Sequence, residues 1–242
     1  VYWNKEYFIR DLGRSGYDEK YFDEARFEYP EAASSGHNTI LVNGEQQISA
    51  KYYKQPYDYS IGGEVLSFQS SDKVDYVLMD PTKAYPNKEL KKWRRSVVLK
   101  KPEVTLVLDE IKSTSNAEIK VRFHPGVEVE IYEKLVMLEG KNGKMALIPI
   151  LNQKFEINQG RHTSQMVNGT EKFKWIDYFD IEVNSRKEIT NLITLILPVK
   201  DFEEARQIVA AKSMKIEKNG SIKINLVKGE DDFEFFFEMK KE

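Results

Sequence analysis

Short alternations of apolar and polar residues run through most of the chain and predict β-strands. The segments "KLVMLEGKNGKMALIPI" and "MKIEKNGSIKINLV" each place an Asn-Gly pair between two such runs. Asn142-Gly143 and Asn219-Gly220 tolerate the positive φ angles of a tight turn, so both segments are predicted hairpins. The opening "VYWNKEYFIRDLG" predicts two short strands around Asn4-Lys5.

Four further segments complete the prediction of regular structure. "RRSVVLKKPEVTLVLDEI" predicts a hairpin that turns at Pro102, and "AEIKVRFHPG" alternates as a half-buried strand does. "ITNLITLILPV" is almost continuously apolar, which is typical of a strand covered on both faces. Helix is scarce, and the best candidate is residues 201–212, "DFEEARQIVAAK", with Asp201 as its N-cap.

These elements predict an all-β fold. The number and short spacing of the strands favour one large layered antiparallel β-sandwich, supersandwich-like, with at most one or two short helices. The 242 residues form one predicted domain over 1–242, a normal length for such a fold, and 40% hydrophobic residues are ample for its core.

Composition and charge narrow the classes of function. The 37 Lys and Arg and 39 Asp and Glu give a net charge of −2 and are interspersed, which argues against a nucleic-acid-binding protein. An acidic polysaccharide remains possible, because a local basic groove can exist on a neutral protein. No apolar run approaches the roughly 20 residues of a membrane span. The absence of cysteine excludes disulfides and thiolate metal sites.

Two residues are candidate metal ligands. His37, one of three histidines, stands directly before a predicted strand in "ASSGHNTILVNGEQQ", and Asp11 ends a strand in "FIRDLG". A carboxylate oxygen and an imidazole nitrogen suit a shared divalent cation such as zinc. A hydrogen-bonded loop end and a turn cap are the simpler alternatives. No third ligand is evident near them in the sequence.

The long polar segment between these residues, "GRSGYDEKYFDEARFEYPEAASSG", offers cations and aromatic rings. Arg14 and Tyr17 suit an acidic sugar, because carboxylates pair with guanidinium groups and sugar rings stack on aromatic faces. An ordinary surface loop is the alternative. His124 is predicted to be structural and His162 to lie in a polar loop without a role, while "KKWRR", residues 91–95, is predicted to be solvated surface.

One stretch resembles a known family. "SSGHNTILVNGEQQ" looks like the signature that opens the C-terminal domain of heparinase II/III-like polysaccharide lyases, where two small residues precede His-Asn-Thr and a Val-Asn/Asp-Gly follows. "YWNKEYFIRDLGRSGYD", "WRRSVVLKKPEVTLVLDEIKS" and "VRFHPG" resemble further segments of that domain. The resemblance covers most of Val1 to about Gly126, and "LITLILP" more loosely.

The resemblance implies an architecture in which an α/α toroid precedes a layered antiparallel β-sandwich, with the substrate cleft between them. This chain would be the sandwich alone, and its start without Met is expected to be a cut end. The catalytic tyrosine, its Asn or His partner and the catalytic histidine would precede Val1, so no catalytic residue is assigned here and the fragment alone is expected to be inactive.

The resemblance also implies a substrate and a cofactor. The reaction would be β-elimination on a uronic-acid polysaccharide; heparin, heparan sulfate, alginate, hyaluronan and other bacterial glycans stay open. Asp11 and His37 match two ligands of the family's metal, typically zinc, whose remaining ligand would precede Val1. Arg14, Tyr17 and Asn38 are the candidate substrate contacts. The location would be secreted or periplasmic.

Two other classes of function stay open on the sequence. One is a non-catalytic carbohydrate-binding or structural β-sandwich module. The other is a plain β interaction domain with no preference for glycans.

Overall fold

Strands dominate the computed structural model, which confirms the all-β prediction. It describes residues 1–13, 22, 24–47, 61–85, 87–102, 104–114, 116–151, 153–164, 174–185, 189–216, 222–228 and 231–237. The strands are β1 (Tyr2–Trp3), β2 (Glu6–Tyr7), β3 (Ile40–Val42), β4 (Glu64–Ser70), β5 (Val74–Asp80), β6 (Leu90–Lys100), β7 (Val104–Ser113), β8 (Ala117–Phe123), β9 (Glu128–Ile131), β10 (Val136–Gly140), β11 (Gly143–Ile150), β12 (Glu156–Ser164), β13 (Lys174–Ser185), β14 (Ile189–Val199), β15 (Ser213–Ile216), β16 (Ile222–Lys228) and β17 (Asp231–Phe237). Helix α1 spans Phe202–Ala211, and short 3-10 turns cover Glu24–Glu28, Pro30–Ala32, Ser34–Gly36 and Thr82–Ala84.

The strands form antiparallel sheets stacked in layers. The largest has eight strands in the order β4-β5-β6-β7-β14-β11-β10-β9. A four-stranded sheet has the order β12-β13-β8-β3, a three-stranded sheet the order β15-β16-β17, and β1 and β2 pair as a separate hairpin.

Two hydrophobic cores hold the layers together. The first lies between the eight-stranded and four-stranded sheets, and includes Ile111, Val121 and Phe179. The second lies on the other face of the eight-stranded sheet, where Leu108 and Ile193 pack with residues of α1 and the three-stranded sheet. Because the eight-stranded sheet is covered on both faces at β14, the apolar run predicted there is explained.

Hairpins form where the turn signals predict them, but the β10–β11 turn is centred on Lys141-Asn142 rather than on Asn142-Gly143. Gly140 pairs with Gly143 across the β10–β11 turn, and Asn4 and Lys5 adopt the positive φ angles of 46° and 66° between β1 and β2. β6 and β7 pair on either side of Pro102. Asn219-Gly220 lies outside the described residues, although its flanking strands β15 and β16 pair.

The predicted helix is also confirmed. The Asp201 carboxylate accepts a hydrogen bond from the Glu204 backbone N–H at 2.9 Å, and α1 begins at the next residue, Phe202. This cap satisfies one of the free N–H groups of the first turn. In the described part of the chain, no helix combines the length and apolar character that crossing a membrane requires.

Candidate functional site

The two candidate metal ligands lie side by side. His37 Nδ1 is 2.7 Å from Asp11 Oδ2, although 26 residues separate them in the chain. Asp11 follows a segment that runs along the end of β8, where the Arg10 N–H donates to the His124 carbonyl at 2.9 Å. His37 ends the 3-10 turn Ser34–Gly36, shortly before β3. Both side chains stay accessible, 58% exposed for Asp11 and 39% for His37.

The surroundings of Asp11 favour its ionised form. Burial raises the pKa of the Asp11 carboxyl, but the hydrogen bond with His37 and the Gly13 backbone N–H at 2.9 Å lower it. The charge of His37 lowers it further, and the net pKa lies below the ordinary value. Asp11 is therefore a carboxylate at neutral pH, the form that binds a cation. When His37 Nδ1 donates to it, the lone pair of that imidazole is on Nε2.

Asn38 joins the two segments that carry these groups. Its side-chain Nδ2 donates to the Arg10 carbonyl at 2.9 Å, and its Oδ1 accepts from the His124 backbone N–H at 2.8 Å. Because Arg10 precedes Asp11 and Asn38 follows His37, this one amide fixes the spacing of the two candidate ligands. Within the described residues, Nδ2 makes this one hydrogen bond, and the amide has a second N–H to donate.

A buried ion pair fixes the backbone just after His37. The Arg95 guanidinium binds Asp109 through two bonds, Nε to Oδ1 at 2.7 Å and Nη2 to Oδ2 at 3.0 Å. Its Nη1 donates to the Asn38 carbonyl at 2.6 Å. Trp93 Nε1 also donates to Asp109 Oδ1 at 2.8 Å, so both oxygens of the fully buried carboxylate accept hydrogen bonds.

A second buried ion pair fixes the backbone just before His37. Arg122 binds Asp180 through Nε to Oδ1 at 2.8 Å and Nη2 to Oδ2 at 2.7 Å. Its Nη1 donates to the Ser35 carbonyl at 3.1 Å, and its guanidinium carbon lies 3.6 Å from the centre of the Tyr178 ring. His37 therefore stands between two backbone carbonyls that are each held by a buried Arg–Asp pair.

The other two histidines lie beneath this segment. His124 is fully buried, and neither of its ring nitrogens has a hydrogen-bond partner in the described part of the chain. Its ring stacks on that of His162, with 5.8 Å between centroids. Burial, with the nearby charges of His162 and Arg122, lowers the pKa of His124 to about 3, so it is a neutral imidazole at physiological pH. His162 Nε2 lies 3.0 Å from the Ser35 carbonyl oxygen.

Two expectations about local structure are wrong. His162 lies on β12 rather than in a loop, because "NQGRHTS" is a strand whose residues pair with β13. In "KKWRR", Trp93 is buried and the Arg95 side chain is only 11% exposed. They face inward because alternate residues of β6 point toward the first core, where Asp109 compensates the charge of Arg95.

The described residues bring together a partial donor set for a metal. Among them, no group of three or more His, Asp or Glu is placed to hold one. Asp11 Oδ2 and His37 Nδ1 lie 2.7 Å apart, and Nδ1 can bind the same ion as the carboxylate only in the tautomer that carries its proton on Nε2. Two ligands of a tetrahedral zinc stand about 3.3 Å apart, so a small opening of the pair suits that geometry. Arg14 and Tyr17 lie outside the described residues.

Sequence reasoning missed that Arg95 and Arg122 hold the backbone on either side of His37. Each is an arginine within a strand and close to apolar residues, in "WRRSVVL" and "KVRFHP". Their partners, Asp109 and Asp180, likewise interrupt apolar runs. A buried charge at such a position requires a buried partner, and that is the signal by which the pairs were recognisable.

Comparisons with known proteins agree with this fold. The family model described as "Heparinase II/III-like, C-terminal" matches residues 1–217. A heparinase III crystal structure is 16% identical, with a TM-score of 0.69 over 98% of this chain and 34% of that one. Heparan sulfate lyase HepC from Pedobacter heparinus is 14% identical, with a TM-score of 0.72 over 100% of this chain and 36% of that one. The chain thus spans about a third of the length of these structures. No curated protein matches.

Proposed function

The chain belongs to the heparinase II/III-like, C-terminal family, and on that premise we propose that it is the β-sandwich of a polysaccharide lyase. In this proposal it forms one wall of the substrate cleft and part of a metal site. The substrate is a uronic-acid polysaccharide of the heparin or heparan sulfate kind, or another acidic glycan. The observation that carries the proposal is the 2.7 Å contact between Asp11 and His37. Two buried ion pairs hold the backbone on either side of His37.

The metal in this proposal is zinc, held in part by Asp11 and His37. The lowered pKa of Asp11 keeps a negative charge available to the cation at neutral pH. The Ser35 and Asn38 carbonyls that flank His37 are each bonded to a buried arginine, which supports a fixed direction for its imidazole. Two protein ligands alone bind zinc weakly, so the remaining ligand comes from the segment that precedes Val1 in the whole protein.

The proposed reaction is β-elimination. A base removes the proton on the carbon beside the uronate carboxylate, a C=C bond forms, and the C–O bond to the leaving sugar breaks. The departing glycosidic oxygen takes a proton from an acid. In this proposal the base and the acid come from a preceding α/α toroid, and the metal braces the loops at the domain junction rather than activating water.

This chain's own part is to bind and orient the sugar. Negative charge builds up on the uronate carboxylate in the transition state, and fixed cations or hydrogen-bond donors lower that barrier. Arg14 is the proposed cation, Tyr17 the proposed aromatic contact, and the second N–H of Asn38 a proposed donor. The hydrogen bonds of Asn38 to Arg10 and His124 keep that amide in one orientation.

The test uses the whole natural protein and measures release of unsaturated uronate from acidic polysaccharides. We expect His37→Ala and Asp11→Ala to lower both bound zinc and the rate of cleavage. Asp177→Asn, which alters a half-exposed ion pair with Arg161 on the outer sheet, is the matched control and leaves both unchanged. The proposal fails when His37→Ala leaves zinc content and uronate cleavage as they are. Saturable glycan binding with no cleavage by the whole protein favours a non-catalytic carbohydrate module instead.

A further inference from the structure

Two exposed tyrosines lie together on the N-terminal hairpin. Tyr2 on β1 and Tyr7 on β2 are cross-strand partners, and their ring centroids are 4.7 Å apart. Their exposed fractions are 60% and 62%. These two residues, called the tyrosine pair below, present adjacent aromatic rings to solvent.

The hairpin that carries the tyrosine pair is firmly attached through its other face. The Glu6 carboxylate accepts hydrogen bonds from the backbone N–H groups of Lys141 at 3.0 Å and Asn142 at 2.7 Å. The Trp3 ring lies so close to Gly143 that a Cβ there would be 2.6 Å from it. The hairpin cannot turn without breaking these contacts, so the tyrosine rings are held outward.

The tyrosine pair is also joined to the Asp11–His37 site by rigid backbone. A Cβ on Gly126 would lie 2.0 Å from the Tyr7 carbonyl oxygen, so the chain here runs tightly against the turn after β8. Ile9 then bridges Pro125. Three residues lie between Tyr7 and Asp11, so even a fully extended chain places their Cα atoms at most about 14 Å apart. A short oligosaccharide can reach from one to the other.

The chemistry of the hairpin suits a sugar. Contact between the two rings stabilises the hairpin, but that role needs no hydroxyl groups and no exposure. A tyrosine offers an apolar face to the C–H groups of a sugar ring and a hydroxyl for its polar groups. Lys5 at the hairpin tip and Lys141 beside it are exposed cations. The nearby carboxylate of Glu6 accepts hydrogen bonds from the backbone N–H groups of Lys141 and Asn142, and the two lysine ammonium groups offer a carboxylate or sulfate its cationic partners.

We propose that the tyrosine pair and Lys5 form a subsite that stacks sugar units of an acidic glycan, at a distance from the Asp11–His37 site. This inference rests on the proposed function, because it takes the glycan to be the polysaccharide bound in the cleft. The subsite contributes affinity for longer chains and takes no part in bond cleavage.

The experiment measures the affinity of the whole protein for size-graded heparin and alginate oligosaccharides, from tetrasaccharide to decasaccharide. We expect the affinity of the unaltered protein to rise with length. Tyr2→Ala and Tyr7→Ala lose roughly tenfold of affinity for the long oligosaccharides and none for the tetrasaccharide, while Tyr7→Phe keeps most of it. Phe68→Ala, which removes a 69% exposed ring on the edge strand β4, is the control and changes neither.

The outcomes separate this inference from the function on which it rests. An unaltered protein that binds no oligosaccharide overturns both. A protein that binds and cleaves, with no gain of affinity with length or no loss in the alanine variants, overturns the subsite alone. Alanine variants that lower the melting temperature of the whole protein while glycan affinity is unchanged make the tyrosine pair a contact with another domain, and also overturn it.

Discussion

The ion pair of Arg122 and Asp180 gives the most specific prediction about stability, because both side chains are almost fully buried, at 6% and 4% exposed. Arg122→Met removes the two bonds to Asp180 and the donor to the Ser35 carbonyl. The carboxylate of Asp180 is then left buried without its cation. Breaking a buried pair from one side typically costs about 3–5 kcal/mol, a large share of the roughly 5–15 kcal/mol that holds a domain folded.

Replacing both partners tests whether the cost comes from the orphaned charge. In the double variant Arg122→Met with Asp180→Leu, no buried charge is left and apolar groups fill similar volume. We expect it to be more stable than Arg122→Met by about 2 kcal/mol or more. The Ser35 carbonyl loses the Arg122 donor and keeps only its 3.0 Å contact with His162 Nε2, so the double variant stays below the unaltered protein by about 1 kcal/mol or less.

Urea unfolding measures all three proteins, with the free energy of unfolding obtained by linear extrapolation. The matched control is Arg161→Met, whose partner Asp177 lies on the same sheet with side chains 55% and 41% exposed, and which is expected to cost at most about 1 kcal/mol. A cost for Arg122→Met equal to that of Arg161→Met, or a double variant less stable than the single, refutes the reasoning.

Three further predictions follow from individual contacts. The pKa of His124 is lowered to about 3 in the folded protein, so between that pH and about 6.5 the unfolded chain binds one proton more than the folded protein does. The free energy of unfolding is therefore complete above this window and falls on acidification through it by up to about 1.4 kcal/mol per pH unit. Urea midpoints measured at several pH values should depend less steeply on pH in His124→Leu than in the unaltered protein. Gly36→Ala places a Cβ 1.9 Å from the Pro30 carbonyl oxygen and should lower the free energy of unfolding by about 2–3 kcal/mol. Gly63→Ala, where the Cβ meets ordinary contacts at 3.5 Å, should lower it by less than about 1 kcal/mol in the same assay. Equal losses in the two variants contradict this prediction. Asp201→Ala removes the N-cap of α1 and should lower stability by about 1 kcal/mol, with most of it kept in Asp201→Asn; no loss in the alanine variant contradicts the cap.

Local signals predicted the local structure well. The hairpin predicted around Asn142-Gly143 forms, with Lys141 and Asn142 at its turn, and Asp201 caps the one α-helix in the described residues. These features depend on neighbours a few residues away, so the sequence is sufficient to identify them. The double-sided burial of β14 was likewise visible in its unbroken apolar run.

The site depended on contacts between distant parts of the chain. Arg95 faces Asp109, and Arg122 faces Asp180, because of the register of paired strands. Register across a sheet follows from the whole fold, so a single strand does not reveal which aspartate meets which arginine. For the same reason "KKWRR" resembled surface and "NQGRHTS" resembled a loop. The meeting of Asp11 and His37 was expected from their residue types at two strand ends and from the family resemblance, not from their spacing in the chain.

We propose that Asp11 and His37 bind one metal ion together. The most direct test is to measure zinc in the purified whole protein and to examine its ligands by X-ray absorption. We expect about one zinc per chain, bound by nitrogen and oxygen ligands. His37→Ala and Asp11→Ala should lose this zinc, and Asp177→Asn should keep it. Zinc retained in full by both variants, or a protein that binds no divalent metal, would contradict it.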